Sequence, residues 1–455
     1  MPNKPNNLSL DYRQPATRPA DGNGAGVHRL AMLTAFATFP LIFMGGLVTS
    51  NHAGMSVPDW PNSYGYNMFL FPPSHWVGGI LYEHTHRLMA TVVGMLSIAL
   101  VIWAWRREIV AGCVWLFRVA TSRPTDAPSI ATAIPREQHR VLAVTVLAAV
   151  IFQGVLGGLR VVLVKLDLAI VHACVAQAFF CLTAYMALVT SKWWNTRPQN
   201  IAIPPVGWAY SPTTRGAQAN QRWARTPTLQ KPSLTPSARD ATPGTIGRSP
   251  IRKLLILGVV TVCAIYLQLI IGATMRHFDA GLAIPDLPLA YGKFLPPTTP
   301  DGLAAVNHIR AFQLSLDPVT LGQIWIHFAH RVGACIVSIL VIFLAVNAWR
   351  RREMRGLATP AACLLLLLVA QLTLGVLTVL LRKPADIASA HVAVGALVLV
   401  TSFILTARAW RILKFHAVPG SVSAEAETPA AGALPVSTEF PARAEPRLAA
   451  SLARH

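Results

Sequence analysis

The chain alternates between long apolar segments and polar ones, and the apolar segments are long enough to cross a bilayer. Eight spanning helices are predicted, at residues 29–50, 77–105, 140–163, 168–190, 252–275, 324–349, 358–381 and 387–409. About 20 apolar residues in a helix cross the hydrocarbon core of a membrane. The pattern therefore predicts an all-α polytopic membrane protein.

The polar segments outside these runs are rich in small and turn-forming residues. The N-terminal tail 1–28, the linker 191–251 and the C-terminal tail 410–455 contain much Pro, Ser, Thr and Ala and few large apolar residues. Such segments cannot bury enough apolar surface to fold alone. We expect all three to be disordered and cytoplasmic.

The basic charge is distributed unevenly between the two sides of the predicted membrane. The net charge is +20, but most of the 39 Lys and Arg residues fall on one side, and the outer segment 51–76 has none. Cytoplasmic loops of membrane proteins carry such an excess. We therefore place both termini in the cytoplasm and expect anionic lipid, not nucleic acid, as the partner of the basic charge.

The two halves of the chain resemble each other. Shared residues of the first outer segment recur 227 positions later: Gly45, Ala53-Gly54, Pro58-Asp59, Pro61 and Tyr64-Gly65 return as Gly272, Ala280-Gly281, Pro285-Asp286, Pro288 and Tyr291-Gly292. The offset differs for the matching residues that follow, and the linker between the two halves is taken to account for that difference. Residues 29–190 and 252–409 are predicted to form two tandem four-helix bundles, related by a pseudo-twofold axis along the membrane normal. The Pro-Asp loops are either rigid turns or lids over a pocket.

Four histidines occupy matched places in this repeat. His86 and His172 in the first unit, and His330 and His391 in the second, lie near the outer ends of spans. Ionisable residues in membrane spans are costly, and paired imidazoles on facing helices commonly ligate haem iron. Two haem sites are therefore predicted, against the alternative of hydrogen-bonded core histidines. His52, His75, His277 and His308 have no repeat partner and are interpreted as loop residues, while His84 is expected on another helix face.

The residues next to these histidines include charged ones, and they differ between the two units. Arg87 and Arg331 directly follow His86 and His330. Each is either a partner for a haem propionate or a side chain that reaches from a span end to the surface. Glu83 shares a helix face with His86, whereas its counterpart in the second unit is His327. Glu83 is either a catalytic carboxyl group or a favourable charge at a helix start.

These features together resemble the haem A synthase family: Glu83-x-x-His86-Arg87, His172, His330-Arg331 and His391, in two four-helix repeats over about residues 29–409. The resemblance implies oxidation of the C8 methyl group of haem O to a formyl group, which gives haem A for cytochrome oxidase. It also implies that His86 and His172 surround the substrate haem O.

Further expectations follow from the same resemblance. His330 and His391 would hold a haem b cofactor, and Glu83 matches the essential glutamate of the family. The expected location is a bacterial inner membrane in preference to a mitochondrial one. Haem O synthase, cytochrome oxidase assembly factors and an unidentified electron donor or acceptor are candidate partners.

The chain departs from the family pattern in two ways. Some members carry a cysteine pair in the first outer loop, but residues 51–76 contain no cysteine, and the long linker has no counterpart. The leading rival function is a di-haem b electron-transfer protein that serves a quinone pool. A transporter with parallel repeats is a third interpretation, which predicts helices broken near mid-membrane.

Overall fold

The computed structural model describes residues 22–120, 137–196, 248–354 and 356–415. It contains eight helices long and apolar enough to cross a membrane, which confirms the predicted number. In chain order these are α1 Gly22–Ser50, α2 Gly79–Ala120, α3 Glu137–Val162, α4 Leu166–Thr190, α5 Arg248–His277, α6 Leu321–Trp349, α7 Ala358–Leu380 and α8 Ala385–Phe415. The chain is an integral membrane protein.

The helices extend further than the apolar runs that predicted them. α1 begins at Gly22 and α8 ends at Phe415, so the edges of the tails predicted to be disordered are helical. α2 continues to Ala120, well past the predicted end. A formed helix gains one hydrogen bond for each residue added, so α2 continues past the charged residues Arg106, Arg107 and Glu108 at which the predicted span ended. Residues 1–21, 197–247 and 416–455 of the predicted tails and linker lie outside the described residues.

Each set of four helices makes a closed cycle of contacts. α1 contacts α2 and α4, and α3 contacts α2 and α4; the same pattern joins α5, α6, α7 and α8. Between the sets, α1 contacts α8, α4 contacts α5, and α4 contacts α8. A small apolar core, made of Ile42, Phe180, Ala184, Ala396 and Val400, fills this boundary. The symmetry axis along the membrane normal stays a prediction.

The loops after α1 and α5, which the predicted topology places on the outer side, share the same hydrogen bonds. The Asp59 carboxylate accepts the amide hydrogens of Tyr64 and Gly65, both at 2.8 Å. Asp286 accepts those of Tyr291 and Gly292 at 2.8 and 2.9 Å. Because the paired aspartate closes a turn in both loops, the repeat extends to individual atoms.

The second outer loop carries an insertion. A short helix, Pro300–Ile309, is capped at its start by the Thr299 side chain and is followed by a π-helical turn, Arg310–Leu314. The buried Arg310 donates to the Leu282 carbonyl at 2.8 Å and so ties the insertion to the repeated part of the loop. This insertion, and not the linker, changes the offset between the loops and the second helices of the two units. The explanation of that change by the linker was wrong.

Candidate functional site

All four repeat histidines line one cavity of about 1030 Å³ that reaches into both halves of the bundle. His86 lies on α2, His172 on α4, His330 on α6 and His391 on α8, each in the first three turns of its helix. Sites for drug-sized ligands occupy roughly 300–1,000 Å³, so this cavity lies at the top of that range. Its size suits large planar ligands better than a bare metal ion.

Each of the four imidazoles packs against a glycine of a neighbouring helix. A methyl group built on Gly45, Gly157, Gly272 or Gly375 would lie 3.1, 3.1, 2.9 or 3.0 Å from the Cε1 atom of His86, His172, His330 or His391. Ordinary carbon–carbon contacts are about 3.5–4.0 Å. Glycine is therefore the side chain that leaves room for each ring. Because all four histidines make the same contact, they share one local structure.

A glutamine lies one turn before the glycine in three of these four helices. Gln153 donates to the backbone carbonyl of His172 at 2.8 Å, and Gln268 donates to that of His330 at 2.7 Å. This spacing of glutamine and glycine was not recognised from the sequence. Its signal was present, since Gln and Gly recur four residues apart in α3, α5 and α7.

The second histidine pair has the spacing that a shared metal ion requires. The ring centres of His330 and His391 are 6.4 Å apart, with ring planes 70° from parallel. Two metal–nitrogen bonds of about 2.0 Å, plus about 1.1 Å from each nitrogen to its ring centre, give nearly the same separation. Nδ1 of His391 lies 3.2 Å from the Gln371 carbonyl, a contact that typically orients a ligand imidazole. The Gln371 amide nitrogen lies 3.4 Å from Nε2 of His391, which is long for a hydrogen bond. A ligand that binds Nε2 could therefore displace this contact.

The site chemistry favours haem over a bare ion. Among the described residues, no group of three or more His, Cys, Asp or Glu could hold a metal ion. Within the same part of the chain, Nδ1 of His86 and Nδ1 of His172 are buried without a hydrogen-bond partner. Two imidazoles per site suffice for haem, because the porphyrin supplies the other four ligands. The residues present fit that group.

Glu83 is buried and lines the same cavity. Its Oε2 accepts the Val57 amide hydrogen at 2.9 Å, and its Oε1 accepts Arg87 Nη2 at 2.9 Å in an ion pair. A carboxylate has about four lone-pair positions. Each oxygen can therefore accept a further hydrogen without losing these contacts, and the two bonds hold the carboxylate between α2 and the first outer loop.

Arg87 and Arg331 hold the outer loops by matched bonds. Arg87 donates to the carbonyls of Val57 at 2.7 Å and Asn62 at 2.9 Å. Arg331 donates to the equivalent carbonyls, Ile284 at 2.7 Å and Leu289 at 3.0 Å. Both terminal nitrogens of each guanidinium therefore donate to loop carbonyls. Arg87 holds the first loop next to His86, and Arg331 holds the second loop next to His330.

The neighbours His84 and His327 contact the loops in different ways. His84 is fully buried between Phe71 and Trp76, with Nδ1 3.3 Å from the Ser63 hydroxyl. It therefore faces the loop, on a different helix face from the cavity-lining His86. His327 Nδ1 accepts the Ile284 amide hydrogen at 3.1 Å. Since Ile284 is the counterpart of Val57, His327 makes the hydrogen bond in the second unit that Glu83 makes in the first.

Three basic residues near the outer ends of helices were not recognised from the sequence. Arg160 on α3, Arg276 on α5 and His277 at the end of α5 all line the cavity. The interpretation of His277 as a loop residue was wrong, because α5 continues to that residue. In a sequence, a single charged residue at the end of an apolar run marks only where the span ends. For this reason the sequence did not indicate that Arg160 and Arg276 face the cavity.

Comparison with known proteins gives a consistent result. Residues 238–403 match the family model described as COX15-CtaA, cytochrome oxidase assembly protein. A protein named Heme A synthase from Shouchella clausii is 24% identical over 360 residues, which cover 78% of this chain and 87% of the relative. One of the same name from Shewanella oneidensis is 23% identical over 396 residues, covering 82% and 93%. Another, from Rickettsia bellii, is 34% identical over 137 residues, 30% of this chain and 37% of the relative. The chain is thus similar to the cytochrome oxidase assembly family over residues 238–403 and, over most of its length, to proteins named Heme A synthase.

Proposed function

We propose that this protein is a haem A synthase, an oxidoreductase that converts the C8 methyl group of haem O to a formyl group. The supporting observation is an asymmetry within one cavity. Two histidine pairs line the cavity, and among its described lining residues the one acid, Glu83, lies in the first unit. A protein that only conducts electrons between two haems has no need for such a carboxyl group.

The two histidine pairs would bind different haems. His86 and His172 would hold haem O as substrate, and His330 and His391 would hold a resident haem b. Haem b supplies one-electron transfer when bound. Conversion of a methyl to a formyl group removes four electrons and four protons and takes one oxygen atom from water. The four electrons would pass one at a time through haem b to an external electron acceptor, and a proton acceptor is needed as well.

Glu83 is the proposed proton acceptor. Its remaining lone pairs can take a proton released at the methyl carbon, or its charge can stabilise positive charge that develops there. The bonds from Val57 and Arg87 hold the carboxylate in place, so little reorganisation is needed during the reaction. His327 at the equivalent position makes the second site chemically unequal to the first.

The outer loops would close the sites from above. Arg87 and Arg331 bind their loops beside the ligand histidines, which supports the interpretation of the loops as lids that limit water access. Each arginine is also a proposed contact to the edge of its haem, but the loop and Glu83 already occupy the terminal N–H groups of Arg87, whereas Nε of Arg331 has no partner among the described residues. We place the protein in a bacterial inner membrane with both termini in the cytoplasm, where haem O synthase and oxidase assembly factors are its proposed partners.

The test is Glu83→Gln, with Glu108→Gln on the same helix as matched control. Glu108 lies at the other end of α2 in an exposed pair with Arg140. The amide keeps the shape of Glu83 but cannot accept a proton, and acid–base assistance is typically worth about 10²–10⁴-fold. Chromatography of extracted haems should show haem O in place of haem A in Glu83→Gln, with haem b retained.

The control variant should form haem A at the rate of the unmodified protein. A normal rate of haem A formation in Glu83→Gln would reject the catalytic role of that residue. Extraction of haem b alone from the unmodified protein, with neither haem O nor haem A, would instead favour the di-haem b electron-transfer protein.

A further inference from the structure

Two further arginines line the cavity: Arg160 donates one bond to the first outer loop, and the bonds of Arg276 go to helices α1 and α8. Arg160 lies one turn beyond Gly157 on α3, and Arg276 lies one turn beyond Gly272 on α5. Each is therefore about 5 Å further along its helix than a glycine that touches a ligand histidine. Both line the cavity that contains the four histidines.

The bonds of these arginines go to neutral acceptors. Arg160 donates to the Gly54 carbonyl at 2.9 Å. Arg276 donates to the Gly46 carbonyl and the Ser50 hydroxyl of α1, and its Nη2 lies 3.5 Å from the Ser389 hydroxyl of α8. The Nε atom of Arg276 is buried with no partner among the described residues.

Neither positive charge is balanced by a carboxylate in contact. Glu83–Arg87, Glu108–Arg140 and Asp279–Lys383 are ion pairs of the described residues, and none of them includes either arginine. Both side chains are half-buried, and Glu83 is close enough to Arg160 for their charges to interact without contact. A charge that is partly withdrawn from water and contacts only neutral acceptors is costly. Two such charges in one cavity indicate a site that is completed by an anionic ligand.

Each arginine lies near one histidine pair. Arg160 is close enough to His86 and His172 for their charges to interact, and Arg276 is close enough to His391. The repeat does not explain this placement, because the counterparts of Arg160 and Arg276 are Thr378 and Thr49. The two units thus obtain one cation per site from different helices.

We propose that Arg160 and Arg276 bind the propionate carboxylates of the two haems, Arg160 at the first histidine pair and Arg276 at the second. This inference rests on the proposed haem sites, but it does not depend on oxidation of haem O. Guanidinium matches a carboxylate in a two-bond, charge-assisted geometry. Arg87 and Arg331 are less available for this role, since the loops already engage both of their terminal nitrogens.

The test compares retention of a charged and a neutral tetrapyrrole in the purified full-length holoprotein. The second site is loaded with iron protoporphyrin IX or with its dimethyl ester, which keeps the ring and iron but lacks both carboxylates. The rate of transfer to excess apomyoglobin is then followed by absorbance. Arg276→Gln, Arg276→Lys and the exposed cytoplasmic control Arg350→Gln are measured alongside the unmodified protein.

The unmodified protein should lose the ester about ten- to a hundredfold faster than the acid, as expected for loss of one charged hydrogen-bonded pair. Arg276→Gln should lose the acid faster by a similar factor without changing ester loss. Arg276→Lys should recover part of the retention, and Arg350→Gln should have no effect.

Equal retention of acid and ester by the unmodified protein would overturn the inference, whatever the variants do. Faster loss of both ligands from Arg276→Gln would overturn it as well, by assigning Arg276 a purely structural role. Haem A formation is measured separately. Normal discrimination between acid and ester without haem A formation would reject the proposed function and leave the propionate site standing.

Discussion

Replacement of Gly272 by alanine would place a methyl group against the proposed haem ligand His330. The added carbon would lie 2.9 Å from Cε1 of the imidazole, about 0.6 Å closer than the shortest ordinary carbon contact of roughly 3.5 Å. The ring must therefore move by more than half an ångström or tilt. Metal–ligand distances tolerate only about ±0.2 Å, so the histidine would no longer ligate in its original geometry.

The effect on global stability should be small by comparison. Alanine is favoured over glycine inside a helix by about 1 kcal/mol, whereas overpacking a core costs about 1–3 kcal/mol. These contributions oppose each other, and the net change should stay within about 2 kcal/mol. Gly272→Ala should thus insert and fold normally but lose haem, or hold it with one axial histidine.

The assay is haem content per purified protein together with the visible spectrum, which separates six-coordinate low-spin from five-coordinate high-spin iron. Gly112→Ala on α2 is the matched control, because a methyl group at that glycine meets nothing within 4 Å. A normal haem content and a low-spin spectrum in Gly272→Ala would show that His330 is not held in ligand geometry by this contact, and the packing argument would fail.

Two further predictions concern the outer loop and the topology. Burial of Asp59 acts to raise the pKa of its carboxyl group, but the amide hydrogen bonds from Gly65 and Tyr64 outweigh it and leave the pKa below its ordinary value of 3.8. The contribution of this carboxylate to holding the first outer loop should therefore be complete above its ordinary pKa of 3.8 and be lost as the pH falls through the lowered pKa. Limited proteolysis in steps from about pH 6 to well below 3.8 should show the loss, and Asp59→Asn should remove this pH dependence. A reporter that works only in the cytoplasm, fused after Lys414, should be active, and activity of a periplasmic reporter there would reverse the proposed orientation.

The sequence predicted the spans because each one is a local property. Lipid, not distant sequence, solvates the outward faces, and large side chains such as Phe36 and Leu366 are 73% exposed on them. Composition alone therefore identifies the helices. The extension of α2 to Ala120 and the short helix at Pro300–Ile309 were missed, since neither is an uninterrupted apolar run.

The candidate site was predicted in part, and the missing part depends on packing between helices. The repeat singled out His86, His172, His330 and His391, and the structure brings all four to one cavity. The contacts between glycines and imidazoles depend on the relative rotation and height of neighbouring helices, which periodicity does not fix. The role of Arg276 was likewise hidden, because its contacts lie on α1 and α8, more than 100 residues away along the chain.

The shared hydrogen bond of Glu83 and His327 has a consequence for how two copies of one unit can diverge. A backbone amide hydrogen, from Val57 or from Ile284, needs only a lone pair in front of it, and a carboxylate oxygen and an imidazole nitrogen both supply one. The architecture of the loop therefore constrains the position to be an acceptor, but it does not specify the acid–base character of that acceptor. A duplicated unit can exchange a proton-handling group for a neutral ring at this position and keep its lid closed. On the proposed assignment, scaffold and reactivity are separable at a single residue, so that one bundle architecture could hold a reacting haem in one unit and an electron-transferring haem in the other.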